Sequence, residues 1–243
     1  MKGLAMSMIA APLFLVASAV VSPQLKSDEG AQLAVIAAHP TRWYWFTLLL
    51  LIGSILLVPA LVGIAGLVHG RSPRLATIGG SLAILGSLIA IGDVMSQFVS
   101  WQMVAGGADR AQMAALLQRF DNAAGVGVVF SVGGLSVLLG VVLLTVGVIR
   151  ARVAPAWAAI GLSVATVLNI VAFSSASTAG VAVSWSALLV AMGYIGCCAL
   201  VAETRDRVGV DPAQPQVAPD QSHPARARVS LSTTQGAPDA THH

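Results

Sequence analysis

Charge is what this chain has least of. Only 9% of its 243 residues are Asp, Glu, Lys or Arg, against 56% that are apolar, which is more than a soluble domain can hide from water. Histidine is scarce where it would matter: His39, His69, His223, His242 and His243 all lie in loops, at a run's edge or in the tail. That leaves no imidazole pair inside facing spans to hold a haem. No His-Glu-x-x-His is present, so an intramembrane zinc protease is excluded. No Gly-x-x-x-x-Gly-Lys is present either, which removes a built-in ATPase. Serines are numerous, yet none pairs with a membrane histidine as an intramembrane serine hydrolase would need. No catalytic residue, cofactor or metal is expected, and the chain does not read as an enzyme.

What is present is apolar length. Six runs, at about 4–21, 43–68, 75–101, 123–149, 156–173 and 181–201, are each near the ~20 residues that cross a hydrocarbon core of about 30 Å. Their unbroken apolarity excludes a transmembrane barrel, whose strands alternate in and out over about ten residues. The expected fold class is an all-α integral membrane bundle of about six transmembrane helices, spanning residues 1–202.

Orientation follows from the basic residues, which are retained on the cytoplasmic side of short loops. Lys2, then Arg71 with Arg74, then Arg150 with Arg152, then Arg205 with Arg207 occupy alternate ends of the runs. Both termini are therefore expected in the cytoplasm of a cell (inner) membrane. Opposite loops mix Lys26, Arg42, Arg110 and Arg119 with acids, and Trp43, Tyr44, Trp45, Trp101 and Trp185 suit an outer aromatic belt, with Trp157 on the inner side. The net charge of +3 is a topology signal and implies no nucleic-acid partner. Lys2, the first run and Ala17-Ser18-Ala19 also resemble a secretory signal with its cleavage site, but eighteen apolar residues exceed the usual signal core of about 7–15.

A repeat runs through the chain. Pro73-x-x-Ala76-x-Ile78-Gly79-x-Ser81-x-Ala83 returns 82 residues later as Pro155-x-x-Ala158-x-Ile160-Gly161-x-Ser163-x-Ala165, and Ala31-Gln32-Leu33-Ala34 returns after 80 as Ala111-Gln112-Met113-Ala114. Both matches keep their direction through the membrane, so a parallel duplication of two-helix hairpins is expected. Ser27-Asp28-Glu29 and Ala108-Asp109 place capping residues ahead of helix formers. Each outer loop therefore predicts a short helix, with Leu33, Val35 and Ile36 apolar before Pro40 stops the first, and Met113, Leu116, Leu117 and Phe120 apolar in the second. They read either as interfacial covers or as a lid or docking surface.

The one formal charge inside a run is Asp93, and an intramembrane acid is a functional hypothesis by default. Counting 18 residues from Leu75 at 1.5 Å each puts it about 27 Å along the span, near the outer edge. Gln97 and Ser100 share its face, with Ser96 beside them, and Ser174, Ser175, Ser177 and Thr178 stand at a similar level, so a polar outer vestibule is expected. Asn169 is expected to hydrogen-bond to a neighbouring helix. Asp93, Gln97, Ser100 and Asn169 form the candidate polar site, read either as structural and hydrated or as handling protons or cations. Inward from Asp93, Ala90, Gly86, Ala83 and Gly79 form a small-residue packing seam. Gly66-x-x-x-Gly70, Gly161-x-x-x-Ala165 and Gly125, Gly127, Gly133, Gly134 and Gly140 read likewise. Pro12 and Pro59 are candidate kinks, and Cys197 and Cys198 read as buried packing residues.

Residues 203–243 hold five prolines and few large apolar groups, the composition of a disordered tail. Ala38-His39-Pro40-Thr41-Arg42-Trp43, Gly70-Arg71-Ser72-Pro73-Arg74 and Asp109-Arg110-Ala111, with eleven arginines to two lysines, resemble an uncharacterised family of small multi-span membrane proteins of high-GC bacteria. That resemblance implies the six-span fold and carries no substrate or catalytic residue. The first functional reading is a non-enzymatic membrane component or scaffold, partnered by the lipid bilayer and by itself or another membrane protein. The alternative is a small-solute or ion transporter or channel using the polar face around Asp93.

Overall fold

A computed structural model describes residues 2–105 and 109–208. Its elements are α1 (Lys2–Val21), α2 (Glu29–Ala38), α3 (Pro40–His69), α4 (Pro73–Ala105), α5 (Arg110–Asp121), α6 (Ala124–Ala151), α7 (Ala156–Ser174) and α8 (Thr178–Val208). Helices α1, α3, α4, α6, α7 and α8 are long and apolar enough to cross a membrane, so the described chain is an all-helical, multi-pass membrane protein. α8 runs through Val208, carrying helix into the segment expected to be disordered from residue 203; the tail from residue 209 lies outside the described residues.

The six long helices close a ring. α1 packs on α3, α3 on α4, α4 on α6, α6 on α7, α7 on α8, and α8 returns to α1, with a smaller contact across the ring between α3 and α6. Consecutive hairpins α1/α3, α4/α6 and α7/α8 thus stand side by side. The repeated residues of α4 and α7 occupy matching environments: Ala76, Ala83, Ala158 and Ala165 are buried, while Ile78 and Ile160 are exposed.

At the end carrying Lys2, Arg71 and Arg150 the ring is filled. Met8, Ile64, Val68, Ala76, Leu144, Leu162 and Ile195 are each at most 2% exposed, so the six helices converge there on one dry core. Lipid removes the hydrophobic drive for this convergence, and close backbone approach replaces it. A Cβ on Gly86 would stand 2.5 Å from the Gly133 carbonyl oxygen, and one on Gly140 would stand 2.3 Å from the Ala83 amide nitrogen. The α4 seam therefore packs on α6 through Gly79, Ala83 and Gly86. Gly161 meets Ala191 of α8 as its motif predicts. Gly66, Gly70, Gly125, Gly127 and Gly134 do not behave this way, because a Cβ on any of them meets open space.

Arginine also closes helix ends. Arg42 donates from Nε to the Val21 carbonyl at 2.6 Å and from Nη2 to the Ser22 carbonyl at 3.1 Å. A cation is thereby placed at the C-terminus of α1, where orphan carbonyls and the helix dipole favour it. At the opposite end Arg71 donates to the Ala151 carbonyl in the last turn of α6.

Two sequence expectations are corrected and one is extended. Trp43 is no belt residue: it is 1% exposed, because its indole N–H donates to the Gln97 backbone carbonyl at 3.2 Å and holds the ring inside the bundle. Cys197 is exposed and Cys198 half-buried, since the buried face of α8 falls instead on Leu188, Ala191, Met192 and Ile195. Pro40 does more than stop α2. It opens α3 at the first helical position, where a missing N–H costs nothing. Trp157 does stay exposed, packed on Tyr194 with ring centroids 4.9 Å apart.

Candidate functional site

Away from the arginine-rich end the helices diverge and leave a cavity of about 620 Å³, within the range of small-molecule sites. α2 and α5 cap it. Each is started by an aspartate in the predicted position: Asp28 accepts from the Ala31 amide at 2.7 Å, and Asp109 from the Ala111 amide at 2.9 Å. The two caps dock differently. α2 sinks Leu33 and Ile36 into the core, whereas no α5 residue is buried and Leu116 and Phe120 remain exposed beside the cavity.

All four predicted site residues reach this cavity. Asp93, Gln97 and Ser100 line it from α4, and Asn169 lines it from α7. Asn169 also makes the expected inter-helix bond, donating from Nδ2 to the Ser184 hydroxyl of α8 at 3.1 Å. The serines around Asp93 are satisfied locally, Ser96 donating to the Asp93 carbonyl at 2.7 Å and Ser100 to the Ser96 carbonyl at 3.4 Å. Their donors are spent on the helix, which leaves the Asp93 carboxyl and the Gln97 side-chain amide as the polar groups that α4 presents to the cavity.

The expected polar level at residues 174–178 is not a cavity wall. Ser174 and Ser175 donate back to the Val171 carbonyl at 3.0 and 2.8 Å, Ser177 accepts from the Gly180 amide, and Thr178 accepts from the Leu25 amide at 3.1 Å. These hydroxyls cap and tie the α7–α8 turn. From this region it is Phe173 and Ala176 that face the cavity.

Sequence reasoning missed the polar groups supplied by the caps. Lys26, Glu29 and Gln32 line the cavity from the α2 side and Asp121 from α5. The Asp121 carboxyl stands within hydrogen-bonding contact of the Glu29 carboxyl. Burial raises the Glu29 carboxyl above its ordinary 4.5, and the Asp121 charge, that hydrogen bond and the Asp28 charge push the same way. Gln32 Oε1 accepts from the Lys26 amide at 2.7 Å, which fixes the side-chain amide and leaves Gln32 Nε2 buried without an acceptor. Trp185 Nε1 is likewise buried and unpaired. The apolar and aromatic part of the lining is Trp43, Phe46, Leu50, Val94, Phe173 and Trp185.

No residue of α6 contributes to the described lining. Its bond to α7 lies deeper, where the Thr145 hydroxyl contacts Ser163 Oγ at 2.7 Å and the Ala159 carbonyl at 3.1 Å. Over residues 124–132, only Val126 and Phe130 are even half-buried. No protein-family model, curated protein or solved structure matches this chain.

Proposed function

We propose that this chain is a cell-membrane transporter for a small cationic solute, with the cavity as its outward-facing vestibule and Asp93 as the group that meets the cation. The observation that carries this reading is the convergence of Asp93, Gln97, Ser100 and Asn169 on one cavity, with the opposite half of the ring packed shut. An acid kept in a transmembrane helix is costly unless it serves a hydrated pathway or a partner. The alternating arginines support cytoplasmic termini, which turns the capped end outward. In proteoliposomes, Asp93→Asn should abolish cation-dependent proton flux while leaving expression and folding intact; unchanged flux would sink this mechanism.

A non-enzymatic scaffold is the second reading, favoured by the bare opening turns of α6. Gly125, Gly127 and Gly134 lie there with open space above them, as a face that admits another helix does. Crosslinking through this face should recover a stoichiometric homo-oligomer or partner, and a functional monomer would count against it.

A further inference from the structure

The cavity lining combines carboxyls with aromatic and aliphatic side chains. Three carboxyls, Glu29, Asp93 and Asp121, line it against one ammonium, Lys26. Arg42 is not part of the lining, its donors being turned to the end of α1. Asp28, the remaining charge beside Glu29, is bound to the Ala31 amide and adds further negative potential. Beside them stand Phe46 and Leu50 from α3, Val94 from α4, Phe173 from α7 and Trp185 from α8. Phe173 and Trp185 stand edge to face with centroids 6.4 Å apart. Aromatic faces beside carboxylates are the surroundings that quaternary and protonated amines select. A bare inorganic ion would leave these apolar faces unused, and a neutral apolar molecule would leave the acids facing each other.

Resting on the transporter reading, we infer that the solute is an amphiphilic organic cation: an ammonium head at Glu29, Asp93 and Asp121, and an apolar body against Phe46, Phe173 and Trp185. Burial raises the Glu29 carboxyl above its ordinary 4.5, so a proton and the ammonium compete for Glu29. Affinity rises as pH climbs through that raised value and falls as Glu29 is reprotonated.

Isothermal titration of the full chain in detergent tests this with three probes: benzoylcholine, its neutral carbon isostere 3,3-dimethylbutyl benzoate, and sodium ion. Benzoylcholine should bind saturably, should release a proton (read from the dependence of the heat on buffer ionisation enthalpy), and should bind more tightly as pH rises. Glu29→Gln and Asp121→Asn should each weaken it by about tenfold or more and flatten the pH dependence. Equal binding of the neutral isostere, binding without proton release by the wild type, or undiminished binding in both variants would overturn the assignment. Absence of benzoylcholine binding alongside a persisting Asp93-dependent sodium or proton flux would overturn the organic-cation assignment and leave the vestibule reading standing. Absence of both would overturn the two together.

Discussion

The indole N–H of Trp43 donates to the backbone carbonyl of Gln97 at 3.2 Å, tying α3 to α4 beside the cavity. The same carbonyl belongs to the helical ladder, so the indole supplies its second hydrogen bond. Trp43→Phe keeps most of the packing with Phe46 and removes this tie. The expected loss is about 1 kcal/mol, read as a lower unfolding temperature in detergent. No change would show that ring packing alone holds α3 against α4.

Glycines separate into two groups with opposite expectations. Gly140→Ala drives a Cβ to 2.3 Å from the Ala83 amide nitrogen, a clash with backbone that no rotamer relieves. It should cost about 1–3 kcal/mol and loosen α4 from α6. Gly134→Ala meets nothing within 4 Å and should be neutral or stabilising by up to about 1 kcal/mol through helix propensity. Thermal unfolding of the two variants side by side checks this, and an equal effect would contradict the seam.

Arg42→Gln removes the cation from the carbonyls of Val21 and Ser22. The expected cost is about 1 kcal/mol, and exchange of the amides in the last turn of α1 should quicken while that of α6 stays unchanged. Arg71→Gln should reverse the pattern, because Arg71 caps α6.

How much of this was legible in the sequence follows from the range over which each feature is determined. The six spans, the aspartate caps of α2 and α5, the Gly79–Ala83–Gly86 seam and the Asn169 bond depend on apolar length, local capping or helical spacing, and all were readable. The burial of Trp43 was not, because an aromatic at the start of a span looks the same whether it faces lipid or a neighbouring helix. The cavity itself was invisible for a related reason: it exists because helices diverge at one end, a property of tertiary packing that no single run encodes. Glu29 and Asp121 meet only because two loop helices dock over that space. Asp93, Gln97, Ser100 and Asn169 could be found because polar groups stand out against apolar spans; the acids of the caps lie among other charged loop residues and did not.

The Glu29–Asp121 contact gives the caps a pH dependence of definite sign. Glu29 titrates above its ordinary 4.5 in the folded protein, so the folded state holds its proton more strongly than the unfolded chain does. Its stabilising effect is complete below that ordinary value and is lost as pH rises through the raised one. Spin labels on α2 and α5, at Ala34→Cys and Ala115→Cys with Cys197 and Cys198 replaced by alanine, should move apart over this window. Glu29→Gln, which donates to Asp121 at every pH, should hold them together; a wild-type distance that ignores pH would remove the contact from any role in covering the cavity.

Cation-dependent flux into proteoliposomes, compared among wild type, Asp93→Asn and Asp93→Glu, tests the vestibule most directly. The account predicts flux in the wild type, partial flux in Asp93→Glu, where the charge is kept and displaced by one methylene, and none in Asp93→Asn. Equal flux in the wild type and Asp93→Asn, with both proteins folded and equally incorporated, would contradict it.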